Sequence, residues 1–86
     1  MQAYKITSTG VVLSHKCYIQ GITIIAASAN ASVVLNDSID GTGTDKGGAK
    51  AIATESRDSE LHGAEFATGL YATISGSGAV AYIYVK

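Results

Sequence analysis

The chain predicts an all-β domain, a small antiparallel β-sandwich of jelly-roll or Greek-key type with about six to eight short strands. Three observations carry that prediction. Leu70, Ala72 and Ile74 alternate with Tyr71, Thr73 and Ser75, and after Gly76-Ser77-Gly78 the residues Val80, Tyr82 and Tyr84 alternate with Ala81, Ile83 and Val85, a period of two. No stretch of ten or more residues shows an apolar period of 3.6. Proline is absent, so the ten glycines punctuate the chain.

The last twenty residues, Ala67 to Lys86, read as one β-hairpin, because tyrosines and β-branched residues suit a pleated surface and a three-residue loop with glycine is a common hairpin connection. At the other end, Tyr4 and Ile6 point one way from a strand at about residues 2 to 7, and Ser8-Thr9-Gly10 turns the chain into a short Val11-Val12-Leu13 strand. The spine runs from Lys16 to Ala27. There Tyr18, Ile22, Ile24 and Ala26 alternate with Cys17, Ile19, Thr23 and Ile25, and apolar residues at both parities imply a strand covered on both faces, one of them by another subunit. Ser28 to Ala31 turns into a strand at Ser32 to Asn36, a glycine-rich loop follows from about Asp37 to Gly48, and Ala49 to Glu55 is a weaker strand because alanine fits sheets poorly. Ser56 to Ala64 reads as a loop or charged edge strand. Residues 1–86 form a single domain without internal repeats, and a small closed barrel is the structural rival.

A chain of 86 residues buries only about 60% of the surface it exposes when unfolded. Small domains usually need a staple, and the single Cys17 excludes an internal disulfide while no ligand cluster suggests zinc. Oligomerisation or docking on a larger body remains. Charged residues make up 15% of the chain, against roughly 25% for ordinary soluble domains, and 47% are hydrophobic, which agrees with a partly covered surface. Net charge is −1, and the six basic residues form no stripe along which a phosphate backbone would bind, so nucleic acid is not an expected partner. The N-terminus does not read as a signal peptide, and the weakly charged stretch from Cys17 to Val34 is broken by Gln20, Gly21, Ser28, Asn30 and Ser32, so no membrane helix is expected. A lone thiol fits synthesis in a reducing cytosol, with Cys17 as a small buried hydrophobe.

Chemical motifs are weak. Gly41-Thr42-Gly43-Thr44-Asp45-Lys46-Gly47-Gly48 superficially looks like a phosphate loop, but Gly47 stands where such a loop requires Ser or Thr, and no helix follows. Asp37, Asp40 and Asp45 are oxygen donors of the kind calcium takes, yet they lack the regular alternation of a helix-loop-helix site, and acids are ordinary in turns. Ser14, His15, Cys17, Asp58, Glu60 and His62 supply the residue types of nucleophilic catalysis in no recognisable arrangement, and Ser14 and His15 point to opposite faces of a strand. No catalytic, metal or cofactor residue is therefore assigned, and the protein is read as a non-enzyme. The five tyrosines are sheet residues, of which one or two serve as interface anchors or as a platform for sugars.

Several segments resemble small virion structural proteins of tailed bacteriophages, in particular capsid decoration or cement proteins: Tyr4-Lys5-Ile6-Thr7, Tyr18 to Ile25, Val33-Val34-Leu35-Asn36-Asp37-Ser38 with its Gly/Thr loop, Glu65 to Gly76, and Ala81-Tyr82-Ile83-Tyr84. The resemblance is one of pattern over most of the chain, without a diagnostic motif. It implies a compact β-sandwich, commonly a homotrimer, made in the host cytoplasm and placed on the capsid surface of the virion, where it bridges and stabilises major capsid protein subunits. In that setting Tyr82, Tyr84, Ile24 and Tyr4 are the candidate interface residues. The alternative is a receptor- or carbohydrate-binding module of a phage tail or fibre, using the Asp37 to Gly48 loop and exposed tyrosines.

Overall fold

The structure, a computed structural model, describes residues 2–86. Eight strands follow in order: β1 (Gln2–Ile6), β2 (Gly10–Leu13), β3 (Cys17–Ile25), β4 (Ala31–Asp37), β5 (Thr44–Ala51), β6 (Ser56–Phe66), β7 (Leu70–Ser75) and β8 (Val80–Val85). They form two four-stranded antiparallel sheets, sheet A in the order β1-β8-β3-β6 and sheet B in the order β2-β7-β4-β5. β1 pairs with β8, β2 with β7, β3 with β6 and β4 with β5. This nesting is one long hairpin rolled up on itself, the jelly-roll form of the sandwich.

The nesting corrects the reading of the C-terminal twenty residues. Both strands form where alternation placed them, but β7 lies between β2 and β4 while β8 lies between β1 and β3. The Gly76-Ser77-Gly78 turn carries the chain from one sheet to the other. Gly76 (φ 114°) and Gly78 (φ 74°) take left-handed conformations there, and a Cβ on Gly76 would come 2.5 Å from the Asn30 carbonyl oxygen. The physical reason is the core: Leu70 and Ala72 enter it from one side and Ala81 and Ile83 from the other, all four fully buried. A flat hairpin would lay both apolar faces side by side on one sheet and leave them uncovered. Among the described residues, β4 and β5 are the consecutive strands that do pair as a hairpin.

The spine strand holds the second correction. Its register slips between Ile19 and Gly21 against both β8 and β6, so Gln20 is a β-bulge. A bulge inverts parity. Cys17 and Ile19 before it, and Ile22, Ile24 and Ala26 after it, therefore all reach the core. What alternation implied to be a strand apolar on both faces is one apolar face with a slip in the middle. On β6 the matching irregularity spans Leu61-His62-Gly63, with left-handed φ at His62 (54°) and Gly63 (77°). Leu61 reaches over Gly47 of β5, where a Cβ would come 2.5 Å from Leu61 Cδ2, so glycine lets the two sheets close along that side.

The strand expected at Ala49 to Glu55 lies instead at Thr44–Ala51. β5 starts at Thr44 inside the predicted glycine-rich loop, and Ser56 onward is an eleven-residue edge strand. The shortened turn is pinned by Asn36, only 5% exposed, whose side chain bonds both the amide and the carbonyl of Gly43 as well as Asp45. The core is built from Phe66, Ile19, Ile22, Ile24, Leu35, Leu70, Ile83 and Val33, each almost wholly removed from water.

Candidate functional site

Antiparallel pairing places directly opposed residues on the same face, and in sheet A this orders the outward side chains into rows. One row reads Lys5, Tyr82, Thr23, Asp58 across β1, β8, β3 and β6. The next reads Ala3, Tyr84, Gly21, Glu60. On the other side of the first lie Val80, Ile25 and Ser56. The centre of the face is thus aromatic and aliphatic. Its β1 edge carries a cation and its β6 edge carries acids.

A short polar chain holds the middle in place. The Thr23 hydroxyl donates to Asp58 Oδ1 at 2.7 Å and lies 3.1 Å from the Tyr84 hydroxyl. With its one proton committed to Asp58, Thr23 can only accept from Tyr84, so the chain runs Tyr84 to Thr23 to Asp58. Because Thr23 sits one strand over and one row along from Tyr84, the tyrosine ring spans the face diagonally. Tyr18, 42% exposed, extends the surface past the bulge, with Lys16 Nζ 5.7 Å from its ring centre and 2.9 Å from Glu65 Oε2. The bond to Glu65, then that to Tyr18, holds the lysine above its usual pKa and therefore charged.

Of the four interface candidates, Tyr82 and Tyr84 stand on this outer face, partly exposed. Ile24 is fully buried beside Ala81, so it is a core residue and cannot meet a partner. Parity had misassigned it because the bulge at Gln20 lies upstream. Tyr4 shares its face with Ile83, on the inner side of the sheet at the β1 edge. The pairing of Thr23 with Asp58 has no signal in the sequence, where Asp58 offered only a residue type, since only register brings residues so far apart in the chain into one row.

The other residues with reactive groups are used differently. Asp37 accepts the amides of Ala67, Thr68 and Gly69 and meets Lys46 Nζ at 3.5 Å, tying the β4 end to the β6–β7 connection. The Thr68 amide is the leading cause of a carboxyl held below its usual pKa. Asp40 caps its own turn through Thr42, and Asp45 takes a bond from Asn36. Among the described residues, no three acidic, histidine or cysteine side chains converge. Cys17 is buried, which pushes its thiol up in pKa, and His15 bonds the Lys16 carbonyl at the surface. His62 stands exposed on its bulge, 3.6 Å from Glu60.

An open groove of about 680 Å³ separates the β5 and β6 edges, with Ala31, Ala49 and Ala51 among its lining and Lys50 and Arg57 at its sides. Neither histidine lines it. Arg57 is already paired with Glu55 at 3.2 Å. Compared with family models, curated proteins and solved structures, the chain matches none.

Proposed function

We propose that this protein is a virion structural protein of a tailed bacteriophage, a decoration protein that binds the capsid exterior and bridges major capsid protein subunits as a homo-oligomer. The observation that supports the reading most is the outer face of sheet A. A sandwich that has already filled its core still presents Tyr82, Tyr84, Tyr18, Ile25 and Val80 on one sheet surface, with Lys5 at one edge, Asp58 and Glu60 at the other, and Lys16 beside Tyr18. An aromatic centre inside a polar rim is the anatomy of a protein contact surface. The jelly roll also serves as a capsid-building fold, a likeness of architecture and not of site.

The mechanism is mechanical. Copies associated with one another present the loops and β1 to neighbouring capsid subunits, and each contact favours the assembled shell over dissociated subunits by mass action. The test is a heat challenge of capsids with and without bound protein, read by release of the packaged genome. The decorated particles are expected to rupture at a higher temperature, and equal rupture temperatures overturn the proposal.

A second reading rests on the Tyr84, Thr23, Asp58 chain: a tyrosine ring lying along a sheet with carboxylates beside it is also suited to stacking on a sugar. That reading makes the domain a tail or fibre carbohydrate-binding module. Binding to a glycan array that is lost in Tyr84→Ala supports it, and a blank array removes it.

A further inference from the structure

We propose that the outer face of sheet A is the contact surface of a two-fold homodimer, in which two copies stack face to face with equivalent strands running in the same direction. The rows described above determine this arrangement. A sheet face stacked on its own copy makes an isologous contact, for which the symmetry is a two-fold axis in the plane between the sheets. For aligned packing, in which the strands of the two sheets stay nearly parallel, two such axes are open to a sheet. An axis across the strands sets β1 over β1 and β6 over β6, bringing Lys5 against Lys5 and the acids Asp58 and Glu60 against themselves. An axis along the strands, between β8 and β3, sets β1 over the β6 of the second copy, so that Lys5 meets Asp58 with Glu60 in the adjoining row. Like charges facing one another across a contact cost several kcal/mol, which selects the second axis.

The centre of the face satisfies the same operation. Under an axis along the strands, Val80 of one copy lies over Ile25 of the other, Tyr82 over Thr23, and Tyr84 over Gly21. Val80 and Ile25 make an apolar contact, and because the Tyr84 ring leans across to Thr23, Tyr82 of one copy meets the Tyr84 ring of the other, an aromatic pair at the centre. Aligned packing of two sheets tolerates this superposition, since stacked sheets keep their strands within about 30° of one another. The three-fold assembly implied by the resemblance to cement proteins would have to use another surface. The dimer does not depend on the capsid role, because it is measured on the isolated chain and a failure to bind capsids leaves it untouched.

A charge-exchange experiment tests the geometry. Within one chain Lys5 and Asp58 lie three strands apart, about 14 Å, and make no contact, so any compensation between them has to cross the interface. Sedimentation equilibrium of the full chain is expected to show twice the 8.8 kDa chain mass. Lys5→Asp and Asp58→Lys, each at an exposed position, are each expected to weaken the dimer by at least about tenfold with the circular dichroism spectrum unchanged. The double variant restores it. Glu60→Lys, which leaves the Thr23 bond intact, serves as a second acidic-edge variant should Asp58→Lys disturb the fold. A wild-type monomer or trimer, single variants that dimerise as well as wild type, or a double variant that stays monomeric each overturns the proposal.

Discussion

Replacing Ile24 by valine and by alanine separates core from contact surface most directly. Ile24 is fully buried between β8 and β6, paired with Ala81 on one side. Truncation to alanine removes three carbons, a transfer cost of about 2.4 kcal/mol at roughly 0.8 kcal/mol each, and the cavity left behind raises the expected loss to about 3–4 kcal/mol. The whole stability of a chain this size is about 4–13 kcal/mol, so the alanine variant sits near the edge of folding. The valine variant removes one methylene and is expected to cost about 1 kcal/mol, a small enough change to measure on a folded protein. Urea unfolding followed by circular dichroism, at two protein concentrations, is the assay. With an m-value of about 1 kcal/mol per molar, the midpoint falls by about 1 M for valine, and by the same amount at both concentrations. In a dimer, Tyr82→Ala behaves differently: its loss grows with protein concentration, because Tyr82 lies on the outer face. A loss below about 0.3 kcal/mol for Ile24→Val, well under the usual cost of that change, or one that varies with concentration as for Tyr82→Ala, refutes the assignment of Ile24 to the core.

Two further outcomes are expected. Deleting Gln20 removes the parity slip and forces either Cys17 and Ile19 or Ile22 and Ile24 outward; two displaced buried side chains at about 1.5–3 kcal/mol each are comparable with the total stability, so the variant is expected to lose cooperative thermal unfolding, and a melt within a few degrees of wild type counts against the bulge. Asp37 has a folded pKa depressed below its unfolded value of about 3.9, so the stability it contributes is present above that value and is lost as pH falls through the folded pKa. Melting temperatures from pH 7 down to pH 2 should fall less steeply below pH 4 for Asp37→Asn than for wild type, and parallel curves would show that the carboxylate is not responsible.

Much of the strand content was legible because alternation in the chain is a local property. β1, β2, β4, β7 and β8 fall within a residue or two of where side-chain parity and glycine turns set them, and the charged stretch from Ser56 does form an edge. One signal was present but outweighed, and one was absent. A glutamine and a glycine, Gln20-Gly21, interrupt an apolar run, which is how a bulge is written in sequence. Thr44 to Gly48 carries too little apolar side chain to register as a strand, because its partners over Gly47 and Gly48 are Leu61 and the backbone of β4.

The sequence by itself determined an all-β sandwich, the approximate boundaries of most strands, a buried cysteine and which side chains of β8 share a face, since each of these depends on neighbours along the chain. Tertiary structure decided which strands pair, that β7 and β8 face each other across the core instead of forming a hairpin, and that Ile24 belongs inside while Thr23 and Asp58 join Tyr82 and Tyr84 outside. Those outcomes depend on register between segments far apart in sequence. A one-residue slip at Gln20 inverts every side chain beyond it, and parity read along a single strand carries no record of where its partners place that slip.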